Sequence, residues 1–143
     1  MIALTHTADF TATHREPLLP SWHACAWTHG HEWTITLEVI AQDDDFTEDV
    51  SVAVHTALAE FDRWVAEQLE HRHLNDVDEA LAARANAPLV ARWVYDTWVD
   101  RLPHLAAVRV SGPLVPARAA RGPARYERYE YTYRPAPIAG AAA

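Results

Sequence analysis

At 143 residues, half of them apolar and six of them Trp, the chain has room for one domain with a buried core and is no disordered segment. A formal net charge of -8 excludes nucleic acid as the expected partner, because phosphate binding needs a basic stripe, although a local basic pocket would still suit an anionic small molecule. No apolar run approaches the roughly 20 residues of a membrane span, no basic-then-apolar leader opens the chain, and a single cysteine permits no internal disulfide, so a cytoplasmic protein is expected.

Residues 2–14 alternate and carry Thr5, Thr7, Thr11 and Thr13, which predicts a half-exposed strand. Pro17 and Pro20 break that pattern. A second strand is predicted over 28–40, antiparallel to the first and joined to it by the proline-containing loop. Asp43, Asp44 and Asp45 close it. Thr47 supplies a hydroxyl cap, Glu48 and Asp49 sit in the first turn, and Val50, Val54, Leu58, Phe61, Val65 and Leu69 form one apolar stripe. This predicts a long helix. A second helix is expected from about Pro88 to Leu102, stopped by Pro103. Residues 106–111 read as a third strand, 113–125 as a Pro- and Arg-rich connection, and 126–133 as a fourth strand with Tyr129, Tyr131 and Tyr133 on one face. A domain over 1–135 and a loose Ala/Pro-rich tail over 136–143 are expected. The order strand, strand, helix, helix, strand, strand is that of an α+β domain with both helices on one sheet face.

His29 and His31 are two apart on the predicted second strand, so their imidazoles leave the same face. Gly30 lies between them on the opposite face and permits close packing there. A third histidine from a neighbouring strand would give a three-histidine zinc site with one open coordination position, the arrangement of catalytic zinc. His14 ends the first strand and is well placed to supply it; His6 and His23 are alternatives on spacing alone. Cys25 precedes His29 by four residues, where a bound cation would favour its thiolate. Glu70 adjoins His71, and a carboxylate beside an imidazole suits proton transfer.

Three segments together resemble a known family. Phe10-Thr11-Ala12-Thr13-His14 is similar to its Phe-x-Ala-x-His segment, and Cys25-Ala26-Trp27-Thr28-His29-Gly30-His31 to its Cys-x-x-x-His-Gly-His segment. Leu69-Glu70-His71-Arg72-His73-Leu74-Asn75 is similar to its Leu-Asp-His-x-x-Leu-Asn segment. The family is that of 6-pyruvoyl-tetrahydropterin synthase and 6-carboxytetrahydropterin synthase, and the resemblance runs from about Phe10 to Tyr133. It implies the tunnelling fold: a four-stranded antiparallel sheet with two helices on one face (ββααββ), assembling into an oligomeric barrel, a trimer or hexamer with sites between subunits. It implies zinc (Zn2+) held by His14, His29 and His31, with Cys25 as catalytic base and Glu70 with His71 as proton relay. The implied activity is that of a zinc-dependent carbon–oxygen or carbon–carbon lyase. Such an enzyme acts on dihydroneopterin triphosphate, or a related pterin-like and possibly phosphorylated small molecule, by proton abstraction and then elimination or side-chain cleavage.

The sequence departs from the family where the pterin is gripped. Gly112 stands at the position of the family's pterin-anchoring glutamate; Glu127 and Glu130 on the last strand are candidates to compensate. Val54-His55 replaces an Asp-Phe pair, and Ala85-Asn86-Ala87-Pro88 replaces a Pro-Thr-x-Glu helix start. A diverged member acting on a different substrate in specialised metabolism, and a catalytically silent zinc-binding protein of the same fold, are the alternative expectations.

Overall fold

Alternation builds the sheet. In β1 (Ile2–His14) the even-numbered residues turn inward, with Phe10, Ala12 and His14 buried, while Thr5, Thr7 and Thr11 are exposed. In β2 (His29–Ala41) it is the odd-numbered side chains from Trp33 to Ala41 that are buried. The two strands pair antiparallel along their whole length, from Ile2 opposite Ala41 to His14 opposite His29. β3 (Leu105–Ala117) and β4 (Arg125–Tyr133) complete a four-stranded sheet in the order β1-β2-β3-β4, with every pair antiparallel. The computed structural model describes residues 1–117 and 125–136, with side chains over 1–112 and 129–136.

β3 runs six residues beyond the expected end at Ser111, through Pro113 and Pro116. Ser111 pairs with Glu130 and Leu114 with Arg128, so β3 carries one extra residue at Gly112-Pro113. Such a bulge takes up a proline without losing a ladder hydrogen bond. Residues 113–117 and 125 of the predicted connection therefore belong to the sheet, and residues 118–124 and 137–143, the latter nearly all of the expected tail, lie outside the described residues.

The helices form where caps and apolar stripes agree. α1 (Glu48–Gln68) starts at Thr47, whose hydroxyl accepts from the Val50 N–H at 3.3 Å. Its stripe of Val54, Leu58, Phe61 and Val65, continued by Leu69, is buried. α2 (Glu79–Ala82) is a single turn capped by Asp78; the sequence reading missed it because Leu81 is its one buried residue, too few for a periodic signal. α3 (Ala87–Trp98) is capped by Asn86, whose side chain accepts from the Leu89 N–H at 3.0 Å. It stops four residues short of the expected Leu102, because the chain tightens there into a turn with the Arg101 N–H on the Trp98 carbonyl. α1 packs over β1, and α3 over β3 and β4, enclosing Trp33, Ile35, Leu37, Phe61, Val94 and Trp98. No helix among the described residues is long and apolar enough to cross a membrane.

After α1 the chain doubles back along the outer edge of β1. His71 adopts a left-handed backbone with φ 56°. Its N–H donates to the Thr11 carbonyl at 2.7 Å, and the Thr13 N–H donates to the Arg72 carbonyl at 2.9 Å. Asn75, only 5% exposed, accepts from the Arg15 N–H at 3.0 Å and donates to the Arg15, Leu81 and Ala82 carbonyls. One buried amide thus fastens the end of β1 to α2.

Candidate metal centre

The helix-facing side of the sheet becomes polar where β1 ends and β2 begins. His14 is paired directly with His29, and His31 with Ala12, one diagonal step away on the same face. The His14 Nε2 lies 3.0 Å from the His29 Nε2 and 3.1 Å from the His31 Nε2. One donor atom from each ring falls within 4.8 Å of both others. A tetrahedral zinc ion with nitrogen ligands separates them by about 3.3 Å, close to the two separations made by His14.

The remaining ring nitrogens settle the tautomer. Each Nδ1 faces a backbone carbonyl: His14 that of Ala85 at 2.7 Å, His29 that of Trp27 at 2.8 Å, and His31 that of Glu32 at 2.9 Å. A carbonyl only accepts, so each Nδ1 carries a proton and each neutral ring turns a lone pair toward the other two. Three converging lone pairs repel one another unless a cation or an added proton lies among them. Burial lowers the pKa of His14 to about 4 against the pull of the Ala85 carbonyl, with His29 and His31 lowering it further. Burial also lowers that of His31. His14 and His31 are thereby held toward the neutral form, the one in which imidazole binds metal. Trp33 walls it in, its ring 4.3 Å from that of His31 and 4.7 Å from that of His14. Behind it, the Cβ that Gly30 lacks would stand 3.2 Å from the Thr13 Cγ2, so the close packing expected at Gly30 is with Thr13.

The two other histidines weighed for the third ligand are engaged elsewhere. His6 Nε2 bonds Asp62 at 2.7 Å, and His23 Nδ1 accepts from the Cys25 N–H at 3.1 Å.

A cavity of about 350 Å³ opens on the cluster. Cys25 lines it, as do Glu16, Arg84, Gly112, Tyr129 and Tyr131. Cys25 sits in a short 3-10 turn (Ala24–Ala26). Burial, and secondarily the Glu16 carboxylate, push its thiol pKa up. Both causes favour the thiol, and the thiolate expected from the sequence is the form that a bound cation would favour.

The chain matches the model of the 6-pyruvoyl tetrahydropterin synthase family over residues 3–114. It belongs to that family. The 6-pyruvoyl tetrahydropterin synthase of Caenorhabditis elegans superposes with a TM-score of 0.58 at 14% identity, covering 94% of this chain and 96% of that one. An uncharacterised protein of Wolinella succinogenes gives 0.58 at 13%, covering 93% and 97%. At these identities the likeness is one of fold, and the α+β sheet with its helices on one face is the tunnelling fold of the family.

Two parts of the expected site are not gathered around the metal cluster within one chain. The first is the Glu70–His71 pair. His71 Nε2 meets Glu70 Oε1 at 3.0 Å, and Glu70 Oε2 accepts from the Thr11 N–H at 2.8 Å. The pair is formed, but His71 is 79% exposed on its side chain and lines a second cavity with Arg72, His73 and Asp76. Within one chain, Cys25 and His71 line different cavities. The second is the pterin anchor. Gly112 does line the first cavity, and a Cβ there would meet nothing within 4 Å. Glu130 belongs to the sheet face opposite Tyr129 and Tyr131, away from that cavity, and the Glu127 side chain lies outside the described residues.

Glu16 and Arg84 were overlooked by the sequence reading. Glu16 had a signal: it lies two residues after His14, and continued alternation would turn it to the same side. Arg84 had none, since it stands in the linker between α2 and α3. Among the described residues its guanidinium has no ion-pair or hydrogen-bond partner, which leaves a free cation on the cavity wall.

Proposed function

We propose that this protein is a zinc-dependent lyase of the 6-pyruvoyl tetrahydropterin synthase type, acting on dihydroneopterin triphosphate or a related pterin-like intermediate. The observation that carries the reading is the approach of the His29 and His31 Nε2 atoms to within about 3 Å of the His14 Nε2, on the cavity that Cys25 lines. His14, His29 and His31 would hold the metal. Zinc bound there supplies a Lewis acid that polarises substrate oxygens and acidifies the neighbouring C–H.

The chain's own groups then handle protons. Cys25, once its thiol proton is lost, takes a proton from the substrate side chain, and the resulting thiol returns one. Glu70 orients His71 through their 3.0 Å contact, which suits the pair to proton exchange. Because His71 is exposed and outside the Cys25 cavity of its own chain, we assign the pair to the Cys25 site of a neighbouring copy in an oligomer. Arg84 offers a counter-charge for an anionic substituent such as phosphate.

Gly112 favours a second reading, the same chemistry on a changed substrate, because no side chain at that position grips a pterin ring. Metal analysis combined with turnover of dihydroneopterin triphosphate by the wild type and Cys25→Ala tests both. Zinc near one per chain and turnover abolished by the substitution is the expected result. Zinc without turnover favours the changed substrate or a silent member, and a zinc-free protein indifferent to chelators overturns the proposal.

A further inference from the structure

We propose that Glu16 is the specificity-determining carboxylate of this cavity, accepting hydrogen bonds from adjacent N–H donors of the ligand. The inference rests on the pterin-like reading above and names the group that recognises the ring. Among the described residues Glu16 is the one carboxylate lining the cavity. Its backbone is held on both sides: its N–H donates to the Cys25 carbonyl at 2.8 Å, and its carbonyl accepts from the Leu19 N–H at 3.0 Å. Its half-buried side chain, by contrast, makes no hydrogen bond or ion pair among the described residues, although Arg84 lines the same cavity. A carboxylate held in place, partly desolvated and left unpartnered is an acceptor available to a ligand. Tyr129 and Tyr131 on β4 add aromatic surface for a flat ring, and open space at Gly112 leaves room for it. The matching ligand is a planar heterocycle with two neighbouring N–H groups at one end and metal-binding oxygens at the other.

Two pteridines separate this role from general binding. 2-Amino-4-oxopteridine presents an amino N–H beside a ring N–H; 2,4-dioxopteridine replaces the amino donor by a carbonyl, which repels a carboxylate. Affinities are measured by fluorescence titration of the zinc-loaded protein, alongside zinc content and melting temperature. The wild type is expected to prefer the amino compound by about tenfold or more, the scale of a charge-assisted hydrogen bond. Glu16→Gln should erase that preference at unchanged zinc content and melting temperature, and Glu16→Asp should restore part of it. A preference that survives in Glu16→Gln overturns the assignment while leaving the pterin reading intact. A zinc-loaded wild type that binds neither compound overturns both.

Discussion

His14 and His29 face each other across the β1–β2 pair with their Nε2 atoms 3.0 Å apart, while the Nδ1 proton of each is committed to a backbone carbonyl. Among the described residues nothing relieves that opposition of lone pairs, and a bound cation would. Chelation should therefore destabilise the folded protein. Zinc at a hundred times its dissociation constant contributes about 2.7 kcal/mol. Differential scanning calorimetry with and without chelator should show a melting temperature several degrees lower after metal removal. His31→Ala should lose stoichiometric zinc and most of that response.

Acid should act on the chelated protein through His14. Its folded pKa is lowered from 6.5 to about 4, so between those values the unfolded chain binds a proton there that the folded chain does not. Stability is full above pH 6.5, falls as the pH drops, and has lost about 3 kcal/mol from this group once the pH is below about 4. Urea unfolding at pH 7.5 and pH 5 should show the decline, and a neutral isostere, His14→Gln, should flatten it.

Asn75 is predicted to matter more than its plain side chain suggests. Asn75→Leu takes this partner from the buried Leu81 carbonyl and from the partly buried Arg15 N–H and Arg15 and Ala82 carbonyls, which costs about 1–3 kcal/mol. It also frees the end of β1 that carries His14, so zinc affinity should fall together with the unfolding midpoint. Loss of stability without loss of affinity would show that the clamp does not position the ligand.

The thiol of Cys25 is raised first by burial and then by Glu16. Glu16→Gln removes the second cause alone, so the pH at which Cys25 becomes reactive to iodoacetamide should move down. Zinc loading of the wild type should move it the same way, because a nearby cation favours the thiolate. An unchanged profile in Glu16→Gln would place the carboxylate too far from the sulfur to influence it.

The two glycines of the site should respond oppositely to alanine. Gly112→Ala puts its methyl into open space and should leave the unfolding midpoint within about 1 kcal/mol of wild type or slightly raised. Gly30→Ala brings a methyl to 3.2 Å from the Thr13 Cγ2, and Thr13 is held by its hydroxyl on His73 Nδ1 at 2.9 Å. It should cost about 1–2 kcal/mol, read from the same urea curves.

The parts that were legible in the sequence are those governed by a single local rule. Period-two alternation from Phe10 to His14 and from His29 to Leu37 gave both strands and the common face of the histidines. Thr47 and the stripe from Val54 to Leu69 gave α1. What escaped depends on more than one rule at once. Pro113 looks like a strand breaker until a bulge in β3 absorbs it. α2 is one turn with one buried residue. The turn after α1 passes through the left-handed His71, a backbone state that an ordinary histidine does not announce. Arg84 lies in a loop, where spacing carries no direction, and Glu16 lies past the end of β1, where the alternation was not followed further.

The return of residues 70–73 along β1 also settles how the sheet can grow. Along this edge the Thr11 carbonyl is already taken by the His71 N–H, the Thr11 N–H by the Glu70 carboxylate, and the Thr13 N–H by the Arg72 carbonyl. A further strand laid against this edge can register only with the part from Ile2 to Asp9. The seal keeps any added strand clear of His14, so the sheet can be extended at one end of β1 without its ligand-bearing end being touched.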